Sequence, residues 1–92
     1  MKAEIKKELD EAKLLMDNIV TDSTVPRNIR SVVLDAKTKV SSELDKAEMS
    51  VAVGTAIYVL EDIASDINMP SHTRTEIWTI ISALEAIKEK IN

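Results

Sequence analysis

The 92-residue chain has no cysteine and no phenylalanine, and only one glycine, two prolines, one tryptophan, one tyrosine and one histidine. Without cysteine there are no disulfides, thiolate-bound zinc, iron–sulfur clusters or thiol catalysis. A single histidine, His72, leaves no material for a multi-histidine metal centre or a histidine dyad. One glycine cannot build a glycine-rich loop that cradles a phosphate. Basic charge is also short: twelve Lys and Arg stand against sixteen Asp and Glu, a net charge of −4. That balance argues against general nucleic-acid binding, in which basic groups must displace counterions from phosphates. Long hydrophobic runs are missing as well. The longest stretch without charge is Met49–Leu60, twelve residues, against the about 18 that a membrane span requires. The opening MKAEIKKELDEAK has no apolar centre, so a signal peptide is not expected. What remains is 45% hydrophobic and 30% charged, a composition that folds. The expectation is one small helical domain over residues 1–92, soluble and cytoplasmic, with no membrane partner.

Charge is not spread evenly. Residues 1–46 carry nine basic and nine acidic groups, whereas residues 47–92 carry three and seven. A surface that meets an anion is therefore expected from the first half.

The chain resembles itself at an offset of 44 residues. LLMDNIVTDSTVPRNIRSVVLDA falls on YVLEDIASDINMPSHTRTEIWTI, which matches Ile19 with Ile63, Asp22 with Asp66, Pro26 with Pro70 and Arg30 with Arg74. Leu15 and Val59, Met16 and Leu60, Val25 and Met69, and Val33 and Ile77 agree in kind, and Ala12 on Ala56 extends the register upstream. The sequence reads as an internal duplication, with one unit over about residues 3–44 and the other over about 45–91.

Each unit is expected to form helix, Pro-containing turn, helix. In the first helix Ile5, Leu9, Ala12, Met16 and Ile19 recur at steps of four and three, which places them on one helical face. The same spacing gives Ile29, Val33, Ala36 and Val40 in the second helix. It gives Met49, Val53, Ala56, Leu60, Ile63 and Ile67 in the third. The fourth has Ile77, Ile80 or Ile81, Leu84, Ile87 and Ile91. No segment alternates with a period of two, so strands are not expected. Proline is tolerated in a first helical turn, where its missing N–H has no partner in the helix. Thr24 and Asn68, two residues earlier, are good N-cap types. Asp22 and Asp66 could cap too, or close the preceding helix. The link around SSELDKAE has no Gly or Pro, and Ser42 or Asp45 starts the third helix. The architecture expected is an all-α, antiparallel four-helix bundle with a pseudo-twofold axis relating two hairpins.

TDSTVPRNIR, followed 44 residues later by SDINMPSHTRTEIW, resembles an uncharacterised family of short archaeal helical proteins. The likeness runs from about residue 10 to residue 88. It implies an all-α bundle and an archaeal cytoplasmic origin, and it brings no catalytic or binding residues with it.

Asp22, Arg30, Asp66 and Arg74 can be read as an anion site, because free N–H groups and the dipole at a helix start favour negative charge. They can equally be read as structural. Asp22 would pair with Arg30 and Asp66 with Arg74, or the pairs would cross between units, pinning Pro26 and Pro70 through planar bidentate contacts. Repetition of the set favours the structural reading. Arg27 stands apart, since its counterpart is Ser71. Arg27, Arg30 and Lys37 fall in one quadrant of the second helix, with Lys39 roughly opposite. They are the candidate anion contact, but no aromatic accompanies them for base stacking. A solvated helix face is the plainer reading. His72 and Glu76, four apart, make an incomplete metal or proton-transfer pair. Asp10, Glu11, Asp17, Glu61 and Asp62 read as scattered surface groups. No catalytic, metal or cofactor residue is assigned, and no enzyme activity, cofactor or small-molecule ligand is expected.

The third helix is the least ordinary element. MSVAVGTAIYVL holds no charge, and Val51, Ala52, Val53, Ala56, Ile57, Tyr58, Val59 and Leu60 cover nearly its whole circumference, whereas a surface helix keeps a polar face. Either the other three helices wrap it, or another chain covers part of it together with Trp78 and Ile80. The second alternative is favoured, because a contiguous exposed apolar patch is unusual on a monomer. The candidate self-association surface is Val51, Gly54, Tyr58, Val59 and Trp78. Small residues Ala52, Gly54 and Ala56 would admit a facing helix, and the two aromatics would anchor it. The sequence is thus read as a non-enzymatic interaction module, a homo-oligomer with a dimer as first expectation. The alternative is an accessory protein of nucleic acid or ribonucleoprotein that uses the basic stripe.

Overall fold

The computed structural model describes residues 3–40 and 43–91. Four helices follow one another: α1 (Ala3–Val20), α2 (Arg27–Lys39), α3 (Lys46–Ile63) and α4 (Ser71–Ile91). No strand occurs among the described residues. The expected core stripes are the buried ones: Ile5, Leu9, Ala12, Met16 and Ile19 from α1, Ile29, Val33 and Ala36 from α2, and Met49, Val53, Ala56 and Leu60 from α3. Helix α4 buries both Ile80 and Ile81 beside Ile77, Leu84, Ile87 and Ile91. Ile67, assigned to the third stripe from its spacing, instead stands fully in solvent, because α3 ends at Ile63 and the chain has already turned.

Each helix packs on two neighbours, α1 on α2, α2 on α3, α3 on α4 and α4 on α1, with no contact across either diagonal among the described residues. The short turns make successive helices antiparallel, so the ring is an antiparallel four-helix bundle. Hairpin one (α1 and α2) and hairpin two (α3 and α4) have their Pro-containing turns at the same end.

Helix α3 starts at Asp45. The Asp45 carboxylate accepts the Glu48 backbone N–H at 2.8 Å, and Glu48 accepts the Asp45 N–H at 3.1 Å, a reciprocal capping box. The alternative start, Ser42, lies outside the described residues.

The other caps differ from expectation. Pro26 itself is the N-cap of α2, and no side chain caps the helix. Thr24 is not the cap. Its backbone N–H and its hydroxyl both donate to the Asp22 carboxylate, at 2.9 and 2.6 Å. In the second turn the Asn68 N–H donates to Asp66 at 2.8 Å. Aspartate therefore folds each turn by holding the backbone two residues on, the Asx-turn geometry. The Thr24 hydroxyl and the Asn68 backbone are drawn back to that carboxylate and away from the helix ahead. Behind the aspartates, Val25 and Met69 are buried and plug the end of the core.

Candidate functional site

At the turn end, Arg30 and Arg74 do not pair with Asp22 and Asp66 as expected. The Arg30 Nε–H donates to the Val25 carbonyl at 3.0 Å. Arg74 donates from Nε to the Ala64 carbonyl at 2.9 Å and from its terminal nitrogen to the Asp66 carbonyl at 2.6 Å. The aspartate side chains are already spent on their own turns. The guanidinium groups instead satisfy carbonyls left open where α3 ends and where the first turn enters α2.

The aspartates do reach across the molecule, to different partners. Asp22 Oδ2 lies 3.5 Å from His72 Nε2, and Asn28 Nδ2 donates to Asp66 Oδ2 at 3.2 Å. Positions 28 and 72 are 44 apart, as are 22 and 66. Each turn is therefore tied to the first turn of the helix in the opposite hairpin by the same exchange. The Asp22 carboxyl is held below the usual carboxylate range, first by the Thr24 hydroxyl, then by the Thr24 backbone N–H, with His72 adding less. His72 faces Asp22, so the suspected His72–Glu76 pair is not the contact the ring makes. Sequence reasoning missed the Asn28 and His72 contacts, although the 44-residue offset aligns those two positions.

The basic stripe on α2 is largely occupied. Lys37 forms an ion pair with Asp17 of α1 and Arg30 serves the turn; Lys39, off the stripe, lies 4.0 Å from Asp35. Arg27 alone of the three candidate anion contacts is exposed and outside these pairings.

On α3, the apolar circumference divides into three parts. Met49, Val53, Ala56 and Leu60 are buried in the core, and Ala52, Ile57, Val59 and Ile63 pack half-buried against it on the flanks. Val59 packs half-buried against the core and lines a groove together with Val32 of α2, so it lies on the flank towards α2 and not on the outward strip. Ile80, expected on the same patch, is completely buried. Both differences have one cause. A helix in a four-membered ring has neighbours on two sides, and its apolar flanks are consumed there. The space beside Gly54 is filled by the Lys88 side chain, whose Nζ would lie 3.1 Å from an added Cβ, and no helix backbone comes near. The outward strip is therefore narrow. Val51 and Tyr58 are each 71% exposed, Trp78 is 47% exposed on α4, and Ser50, Thr55 and Lys88 join the first two around a shallow groove.

At the opposite end, a cavity of about 450 Å3 is lined by Ile5, Leu44, Met49 and Ile91 with Asp45, Lys46 and Lys90. Lys90 is held by Glu8 and Glu4, which raise its pKa in that order of effect. These contacts close α4 onto α1. No group of three or more His, Asp or Glu side chains comes together as a metal site among the described residues. No helix among them is long and apolar enough to cross a membrane.

Fold and site together define a small all-α four-helix protein whose shared polar residues build its turns. The chain belongs to UPF0147, an uncharacterised protein family whose model matches residues 1–87. A UPF0147 protein of Methanocaldococcus jannaschii is 49% identical over 75 residues, 82% of this chain and 78% of that one. Another, from Archaeoglobus fulgidus, is 44% identical over 87 residues, covering 95% and 97%. The crystal structure of a family member from Thermoplasma acidophilum is similar with a TM-score of 0.82 and 37% identity, over 92% of this chain and 99% of that one. The resemblance to short archaeal helical proteins thus holds in both sequence and fold.

Proposed function

We propose that this protein is a non-enzymatic, cytoplasmic interaction module that associates with copies of itself through the outward strip of α3 and the neighbouring part of α4. One observation carries the reading. Val51 and Tyr58 lie seven residues apart on one line of a helix that has no charge from Met49 to Leu60, and both are open to solvent after the bundle has closed. Large apolar groups in such a line favour a covered state, since burying each is worth about 1.5–3 kcal/mol. The 44-residue correspondence between α1 and α3, and between α2 and α4, supports reading the two hairpins as copies of one unit. The structural reading of Asp22, Pro26, Arg30, Asp66, Pro70 and Arg74 goes with it, because their contacts are turn contacts.

The test is the mass of the chain in solution by light scattering at micromolar concentration. Association predicts a particle larger than the 10.2 kDa chain, and Tyr58→Asp returns it to one chain with its helical signal intact. A particle of single-chain mass at every concentration removes the proposal. Val59→Asp is a poor probe of the interface, since Val59 packs against the core; that variant is expected to lose stability.

A further inference from the structure

The exposed apolar groups recur on the other side of the molecule. Leu14 of α1 is 63% exposed and Leu34 of α2 is 45% exposed. They precede Tyr58 and Trp78 by 44 positions each, so both hairpins hold out a pair of large apolar side chains at the same places. The ring puts α1 and α3 at opposite corners, and α2 and α4 likewise. The two faces therefore look in opposite directions.

Their charges differ. In line with Leu14 and Leu34, seven residues earlier in each helix, stand Lys7 and Arg27, both exposed. The corresponding positions in hairpin two are Val51 and Ser71. Beside Leu14, Lys6 and Asp10 neutralise each other at 3.0 Å, and Glu11 stands exposed one turn on from Lys7. Beside Tyr58 and Trp78 stand the acidic Glu61, Asp62 and Glu85, all exposed, against one cation, Lys88, in the groove with Val51 and Tyr58. Overall, residues 47–92 carry the entire −4 and residues 1–46 are neutral. Two copies meeting strip to strip would bring two −4 halves together. A strip set on the α1–α2 face of a second copy meets a neutral half that offers Lys7 and Arg27, which avoids like-charge contact. The bundle measures about 36 by 20 Å along its two longer axes. One hairpin face is therefore of the size that a stable interface uses, roughly 800 Å2 per partner.

We infer that the strip of α3 and α4 is covered by the outward face of α1 and α2 of a second copy, so that copies join head to tail. This rests on the self-association reading above and names the surface that the strip meets. A head-to-tail contact leaves one of each face free on every pair, so association does not stop at two unless a ring closes.

The experiment uses the full chain and two variants, Leu14→Asp and Tyr58→Asp, each changing an exposed residue on one face only. Mass is read by light scattering and folding by the helical circular-dichroism signal. Wild-type mass is expected to rise with concentration. Each variant alone is expected at single-chain mass, and an equimolar mixture at twice that mass, because the intact strip of Leu14→Asp seats on the intact α1–α2 face of Tyr58→Asp. Raising salt from about 0.1 M to about 1 M, which shortens the Debye length from about 10 to about 3 Å, is expected to weaken the wild-type assembly. If Tyr58→Asp is a monomer while Leu14→Asp keeps the wild-type mass, the head-to-tail arrangement is wrong and self-association through the strip stands. If the wild-type chain is a monomer throughout, both fall. Leu14→Gln and Tyr58→Gln repeat the test without new charge should either Asp variant lose its helical signal.

Discussion

Hairpin one and hairpin two share a skeleton and differ in what they show to solvent. Ile5 and Met49, Leu9 and Val53, Ala12 and Ala56, and Met16 and Leu60 occupy equivalent buried places. The turns are alike down to the aspartate that folds them, and the buried Val25 has its counterpart in Met69. Outside, Lys7 corresponds to Val51, Asp10 to Gly54, Lys13 to Ile57 and Arg27 to Ser71. In hairpin two each of these charged groups is replaced by an uncharged residue. The lesson is that the bundle requires a buried stripe and a closed turn from each half and leaves the outer faces free to diverge.

The largest effects expected from that comparison are in the core. Met16→Ala and Leu60→Ala each remove a fully buried side chain and should each cost about 2–5 kcal/mol. Thermal or urea unfolding measures both. Similar losses sharpen the equivalence of the hairpins, and a tolerated change in one of them breaks it. Next come the turn arginines. Arg74 donates to two turn carbonyls and Arg30 to one. With about 1.5–3 kcal/mol for a hydrogen bond involving a charged group at the buried end of its range, Arg74→Ala is expected to destabilise more than Arg30→Ala in the same melts. Equal losses would mean that the second Arg74 bond contributes nothing.

Thr73 is a smaller test with the opposite sign. It is buried where hairpin one has Ile29, and its hydroxyl has no partner among the described residues. Thr73→Val keeps the shape and removes the stranded hydroxyl, so stability should rise by about 1 kcal/mol. A loss would show that the hydroxyl is satisfied in solution.

The smallest effect is a pH dependence at Asp22. Its carboxyl titrates below the usual range in the folded chain because Thr24 and His72 favour the anion. The stability it supplies is therefore complete above the unfolded carboxylate pKa, about 3.9, and is lost as pH falls through the lower folded value. Asp22→Asn should reduce the acid-side slope of the melting temperature. An unchanged slope would assign it to other carboxylates.

Much of the bundle was legible because burial follows period: stripes at steps of three and four specified all four helices, and proline marked both turns. The end of α3 was not, since Ile67 keeps the apolar spacing past the point where the chain turns. The polar partners were less legible still. Asp22 and Arg30 are complementary as residue types, yet the aspartate is satisfied locally before a guanidinium can reach it. The position of Val59 was lost for another reason. A helical wheel shows which residues are apolar but not how many sides neighbouring helices cover, and here two sides are covered.

The contacts between hairpins have a consequence for the integrity of the chain. Hairpin one meets hairpin two through α1 on α4 and α2 on α3, through the Lys90 bridge to Glu4 and Glu8, and through the Asp22–His72 and Asn28–Asp66 ties. None of these requires that Val40 and Asp45 be joined by peptide. A backbone cut between them should leave two fragments that find each other and rebuild the bundle. Their melting temperature would then depend on concentration, because the covalent link supplies only proximity.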